Sequence, residues 1–383
     1  MPKIEHVFII GAGFSSYAGL PLTEDFTQAL LAVEELGGGP SKVLVPFLRR
    51  FVHDAFNHKE EASAKFWPVL EDLFTCVDLA ANSGHHLGPQ YEPARLRTVR
   101  RALIVRIIKM LRQHSGPKYR KKDDWQQLQR FCRGVDVRKT AFISMNWDTV
   151  IEETLRTTQG ITAIDYGCDA GASQFQKTRV RLRINPGSKE VQVLKMHGSV
   201  NWMYCDNCRE LLWFPPDQSS KIATCLFSRR DWELVRDTAG GDYERRPSEV
   251  SCPCCGARGL GTRLATFSYR KALEFPMFHK SWLAAERLLR EASTWIFIGY
   301  SLPGADYDFK YLLKRTQLAR REAPRLVLIT GGGPEAAEYT YRNYQRFFGR
   351  DIRKSGSEAS CFMSGLKPDA ITYLKLIGAL RAG

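Results

Sequence analysis

Phe8-Ile9-Ile10-Gly11-Ala12-Gly13-Phe14-Ser15-Ser16-Tyr17-Ala18-Gly19-Leu20-Pro21 is the stretch from which the rest of the chain is read. It completes an apolar run from Ile4 to Ile10 with little polar alternation, the pattern of a strand buried on both faces. The run breaks at Gly11 into a glycine turn and the start of a helix. Glycine lets a backbone approach a phosphate with no side chain in the way. A helix N-terminus adds unpaired N–H groups and the positive end of a dipole. Gly11, Ala12 and Gly13 are therefore candidate ligand contacts, and Ser15 can add a hydroxyl donor. Taken alone, the loop reads equally well as a tight strand-to-helix turn.

Working outward, similar runs recur at Thr140–Met145, Val191–Met196, Thr294–Ile298 and Arg325–Thr330. Each is followed by Gly, Asn or His and, in most cases, by a helical pattern. Strand, polar loop and helix in repetition predict an α/β fold with a Rossmann-like parallel sheet. Between the first two runs, Phe26–Leu36, Lys42–Phe56, Lys65–Ala81, Pro93–Gln113 and Asp123–Cys132 carry apolar residues at helical spacing. Gly37-Gly38-Gly39-Pro40, Asn82-Ser83-Gly84 and Gly116-Pro117 mark their turns. That is too long for a simple crossover, so residues 41–135 are expected to form a large helical insertion. Residues 205–264 are rich in Cys, Asp, Arg, Pro and Gly and poor in periodic apolar residues, which predicts a small metal-stapled module. The sheet domain would then comprise 1–40, 136–204 and 265–383, with Lys367–Arg381 as a last helix against it.

A 44% hydrophobic and 11% aromatic content supports a packed core and excludes a disordered chain. The net charge of +15 and pI near 9.4 suit an acidic partner: nucleic acid, a phosphorylated ligand or an acidic protein surface. The clusters Lys118–Lys122, Lys177–Arg183 and Lys314–Arg321 read most plainly as a solvated surface, and DNA contact stays open. There is no apolar run long enough to span a membrane and no signal-peptide pattern. The ten cysteines are accordingly read as metal ligands or buried thiols in a reducing, cytoplasmic setting.

The other strand ends carry the chemistry, because ligands of open parallel sheets bind at the carboxyl ends of strands. One end reads Asn146-Trp147-Asp148. Asn146 could equally cap the helix expected over Thr149–Leu155, and Asp148 could balance its dipole. Another reads His197-Gly198. A histidine there is either an approachable acid–base group with an ordinary pKa of about 6.5 or a satisfied core-edge side chain. A third reads Gly299-Tyr300-Ser301-Leu302-Pro303-Gly304-Ala305-Asp306, again strand, glycine and hydroxyl, with Asp306 as ligand contact or helix cap. Gly331-Gly332-Gly333 lies either near the ligand or in a plain connector. Cys205-x-x-Cys208 and Cys252-x-x-Cys255 predict a tetrahedral structural Zn²⁺ with no open position for water. Their separation exceeds the common ~15–20 residues, and Cys254 could stand in for Cys255.

In this order the motifs resemble the sirtuins: glycine loop, Asn-x-Asp, His-Gly, two cysteine pairs and a Gly-x-Ser loop. The resemblance implies that Gly11, Ala12, Gly13, Ser15, Asn146, Asp148, Gly299, Ser301 and Asp306 bind NAD⁺ and that Asn146 and His197 are catalytic. It also implies a zinc ribbon on Cys205, Cys208, Cys252 and Cys255. Sirtuin deacylases follow the loop proline with Asp, Phe and Arg; here Leu22-Thr23-Glu24-Asp25-Phe26 follows Pro21, which argues against deacylation. The Leu-Pro form, and Gly-Tyr-Ser-Leu-Pro-x-x-Asp, are similar to divergent sirtuin-like domains of bacterial antiviral defence systems. That likeness implies an NAD⁺ hydrolase releasing nicotinamide and ADP-ribose. It further implies homo-oligomeric assembly and gating by assembly or a HerA-type translocase ATPase, through which DNA could be engaged. The alternatives are an NAD-dependent deacylase or ADP-ribosyltransferase, and a non-catalytic nucleotide- or DNA-binding scaffold.

Overall fold

The computed structural model describes residues 3–32, 41–58, 67–177, 179–183, 190–239, 250–262, 276–349 and 359–382. The turn expected at Gly37–Pro40 and the domain limits at 40 and 264 lie outside the described residues.

Strand β1 (His6–Ile10) is buried at every position. Its side chains alternate between two cores: Phe8 and Ile10 enter one, Val7 and Ile9 the other. A strand that must bury both faces reads as a continuous apolar run, and that run is what the sequence shows. The remaining strands are β2 (Thr140–Ser144), β3 (Ala163–Asp165), β4 (Ala170–Gln176), β5 (Arg179–Leu182), β6 (Glu190–Lys195), β7 (Trp202–Tyr204), β8 (Leu211–Trp213), β9 (Thr294–Ile298), β10 (Arg325–Ile329) and β11 (Ala359–Phe362). Seven of them form one sheet in the order β11-β10-β9-β1-β2-β6-β3. All its pairings are parallel, with His6 opposite both Thr140 and Thr294. The chain leaves β1 toward β2 on one side and later returns through β9 on the other. The switch in strand order therefore falls beside β1, where such sheets open a ligand crevice. The expected Rossmann-like parallel sheet is present. The sequence reading lacked β3 and β11, which are too short to stand out as apolar runs.

The helices between β1 and β2 are Phe26–Leu31, Ser41–Phe56, Leu70–Ser83, Pro93–His114 and Lys122–Gly134. The first ends at Leu31, with Ala32 extended at ψ 127°; the expected end at Leu36 lies outside the described residues. The third starts at Leu70, with Val69 before it held extended; the expected start at Lys65 lies outside the described residues. No described helix is long and apolar enough to cross a membrane.

The stretch between the cysteine pairs is more ordered than its sparse apolar pattern suggests. It carries the helices Ser219–Cys225 and Arg229–Ala239, which with Phe227 in the link between them bury Ile222, Trp232 and Val235 in the core shared with Pro93–His114. Asp231 joins them: it accepts hydrogen bonds from Thr98 Oγ1 at 2.7 Å, Arg101 Nη2 at 2.5 Å and the Ser228 backbone N–H at 2.9 Å. Burial alone would raise the Asp231 pKa, but Arg101, Thr98 and Ser228 together hold it below the usual carboxylate value. A depressed carboxyl contributes stability that is present above its unfolded pKa of about 3.9 and is lost as pH falls through the folded value. Asp231→Asn should therefore cost about 1–3 kcal/mol at pH 7, and the deficit relative to wild type should shrink below about pH 4. Denaturant melts at both pH values check this; an equal deficit at both would refute the assignment.

Candidate active site

A cavity of about 660 Å³ opens over the carboxyl ends of β1, β2, β6, β9 and β10. That volume lies within the ~300–1,000 Å³ of small-molecule sites. Gly11, Ala12, Gly13, Ser15, Asn146, Asp148, His197, Gly299, Ser301 and Asp306 all line it, so the fold brings together every residue expected to meet the dinucleotide.

The glycines that line the cavity also let its two loops pack on each other. Gly13 N donates to Gly299 O at 2.9 Å. A Cβ on Gly299, whose φ is 60°, would lie 2.3 Å from Gly13 C and Phe14 N. A Cβ on Gly13 would lie 2.8 Å from Gly299 Cα. The two loops thus need glycine to pack on each other. The helix expected after Gly13 is a single turn, Ala12–Ser15, followed by a 3-10 turn, Ser16–Ala18, that ends at Gly19 with φ 88°. So short an element has no helix dipole to offer a phosphate.

Asn146 fastens β2 to this loop, its Nδ2 donating to Gly11 O at 2.8 Å and to Ser15 Oγ at 2.9 Å. Both amide hydrogens are engaged, so Oδ1 is the atom it can present as an acceptor. Ser15 gives its own proton to Asp148 Oδ2 at 2.6 Å, not outward to a ligand. Asp148 Oδ1 accepts the Val150 N–H at 2.9 Å, so this carboxylate steadies the start of the Val150–Gln159 helix; Asn146 does not cap it.

Beneath this network sits Lys195, fully buried, with Nζ donating to the Asp148 carbonyl and 3.5 Å from Glu152 Oε1. Burial raises the Glu152 pKa, and Lys195 opposes that. The sequence reading passed over this pair. Its signal was a lysine inside an otherwise apolar strand, where a charge persists only if paired.

His197 is buried to 5% exposure yet faces the cavity. Its Nε2 is 3.5 Å from Asp306 Oδ1. Tyr300 Oη donates to Asp306 Oδ2 at 2.8 Å, and Tyr344 Oη donates to the Tyr300 carbonyl at 2.8 Å. Burial and the Asp306 charge push the Tyr300 hydroxyl well above its ordinary pKa, so it stays a donor.

Of the loop that the sequence left either near the ligand or in a connector, part reaches the cavity, and other lining residues were not foreseen. Gly331 and Gly332 line the cavity, while Gly333 precedes the Pro334–Phe348 helix. Ser364, Gly365 and Lys367 join from the loop after β11, where the Leu366 N–H donates to Tyr17 Oη at 2.7 Å. Glu71, Asp124 and Gln127 reach in from the inserted helices.

Away from the cavity, the turn between β7 and β8 carries Cys205 and Cys208, and Cys252 and Cys255 face them. The four sulfurs lie within 4.8 Å of one another. Cys205 and Cys255 are 3.6 Å apart, Cys208 and Cys252 3.7 Å. Zn–S bonds of about 2.3 Å in a tetrahedron require S···S separations of about 3.8 Å, so the set fits zinc. Cys254, left open by the spacing, stands outside the four.

A parallel sheet with a crevice beside its switch strand, in a chain that also carries a four-cysteine module, defines an open α/β fold. The SIR2-like domain family matches residues 140–347, more than half of the chain, and the chain belongs to that family. Solved structures similar to it include a Sir2 enzyme studied for mechanism and regulation, 13% identical over 91% of this chain and 94% of its own, with a TM-score of 0.35. Sir2Tm bound to a propionylated peptide is 14% identical over 98% and 94%, with a TM-score of 0.33. Sir2 with a p53 peptide and NAD⁺ is 13% identical over 98% and 94%, with a TM-score of 0.32. No curated protein matches the chain.

Proposed function

We propose that this chain binds NAD⁺ in the cavity and hydrolyses its nicotinamide–ribose bond, giving nicotinamide and ADP-ribose. The observation that carries the reading is the convergence of Asn146 and His197, from the ends of neighbouring strands β2 and β6, on one cavity bounded by two glycine loops. Membership of the SIR2-like family supports NAD⁺ as the substrate.

The nicotinamide of NAD⁺ leaves as a neutral base, so the reaction needs no general acid. Water attacks ribose C1′. The C1′–N bond breaks with its electron pair passing to the pyridinium nitrogen, and the water proton passes to His197. Asn146 Oδ1 can orient that water or a ribose hydroxyl. Holding one water while excluding the bulk supplies further rate. The zinc is structural in this scheme, since four thiolates leave it no open position.

The finer assignment rests on motif resemblance: an anti-phage defence enzyme, cytoplasmic, oligomeric, and gated by assembly or a HerA-type ATPase. An ungated NAD⁺ hydrolase would be toxic to its own cell. The test is nicotinamide release from NAD⁺ by the purified chain, alone and with such an ATPase and DNA. Asn146→Ala should lower turnover about 10²-fold or more. Turnover that depends strictly on an acyl-peptide or a protein acceptor would overturn hydrolysis in favour of deacylation or ADP-ribosyl transfer. NAD⁺ binding without turnover under every condition would leave a scaffold.

A further inference from the structure

We infer that Asp306 is a positioning residue for His197, fixing the imidazole tautomer, and is not a contact to the dinucleotide; the inference rests on the hydrolase reading for its kinetic consequence only. Three observations meet here. Asp306 is 8% exposed and His197 5%, so the pair sits largely out of bulk water. Asp306 Oδ1 faces His197 Nε2 at 3.5 Å. Its other oxygen is held by Tyr300 Oη at 2.8 Å, and Tyr300 is itself anchored through its carbonyl by Tyr344.

A carboxylate only accepts hydrogen bonds when ionised. Facing Nε2, Asp306 therefore selects the tautomer with its proton on Nε2 and leaves Nδ1 as the nitrogen that takes a proton. It also stabilises the imidazolium once that proton arrives, the part a carboxylate plays in hydrolase triads. At 3.5 Å the contact is long, as such contacts often are before substrate closes the site. The residue also heads the Tyr307–Leu318 helix, yet its side chain makes no capping hydrogen bond there. The carboxylate is turned to Tyr300 and His197 instead. The backbone supports the arrangement: Leu302, between Tyr300 and Asp306, holds a left-handed φ of 55° while its side chain is 1% exposed. A bulky residue keeps that conformation only where surrounding packing demands it.

Two measurements test the inference. The first is the tautomer of His197 in the ligand-free full-length protein, from long-range proton–nitrogen NMR correlations assigned with His197→Gln. The Nε2–H form is expected in wild type and a mixture in Asp306→Asn; an Nδ1–H form in wild type overturns the inference, whatever the protein does to NAD⁺. The second is kinetic. Asp306→Asn should lower kcat about 10²-fold with KM within about twofold, and Asp306→Glu should restore part of it. Added to His197→Ala, Asp306→Asn should cost nothing more, since a group acting through His197 has nothing left to act on. A raised KM at unchanged kcat, or losses that multiply in the double variant, would make Asp306 a ligand contact. Absence of NAD⁺ cleavage in wild type would defeat the hydrolase reading and leave the tautomer result to decide the rest.

Discussion

His197→Ala should reduce nicotinamide release from NAD⁺ by about 10²–10⁴-fold. In the proposed hydrolysis the substitution removes the group that would receive the water proton, and no other described histidine lines the cavity. The barrier then rises by the full loss of base catalysis, while binding of the dinucleotide, spread over two loops and the ends of several strands, changes little. The expected signature is a collapse of kcat with ADP-ribose binding by calorimetry within a few-fold of wild type. Truncation opens space beside a cavity already present, so the fold should survive with a modest fall in melting temperature. His197→Gln, which keeps most of the side-chain volume, should be equally inactive. A variant that retained a tenth of wild-type turnover would remove His197 from the mechanism.

Zinc removal should have the largest effect on stability. Binding to a four-thiolate site is worth about 10–16 kcal/mol in isolated zinc modules, comparable with the ~5–15 kcal/mol that holds a whole domain together. The loss should not stay local. The two cysteine pairs close the ends of a stretch whose helices pack on Pro93–His114 through Asp231, Trp232 and Val235. Within the site, a hydrogen bond from Asn207 holds the Cys255 thiol low, at about 6, while Cys208 and Cys252 are held high. Chelation, or Cys208→Ser, should release one zinc per chain, expose 219–239 to protease and lower the melting temperature by ten degrees or more. Metal-free protein that melts as the wild type does would show that the four cysteines are only packed thiols.

What the sequence determined by itself is the frame. The apolar runs announced β1, β2, β6, β9 and β10, because a strand covered on both faces cannot alternate. The residues that break those runs, Gly11, Asn146, His197 and Gly299, mark the carboxyl ends where the cavity opens. The cysteine spacing named the four sulfurs that the fold gathers.

Only the tertiary structure decided how these parts act on one another. It showed that Gly13 and Gly299 pack on each other, that Ser15 spends its proton on Asp148, and that Asp306 turns to His197 and Tyr300. It placed Lys195 beneath the Asp148 carbonyl and Glu71, Asp124 and Gln127 at the cavity wall. Periodicity reports which face a residue shows to its own element's neighbours. Hydrogen-bond partners 130 or more positions apart, such as Ser15 and Asp148 or Asn146 and Gly11, leave no mark on it. Their pairing is set by the strand order that lays β1 between β2 and β9.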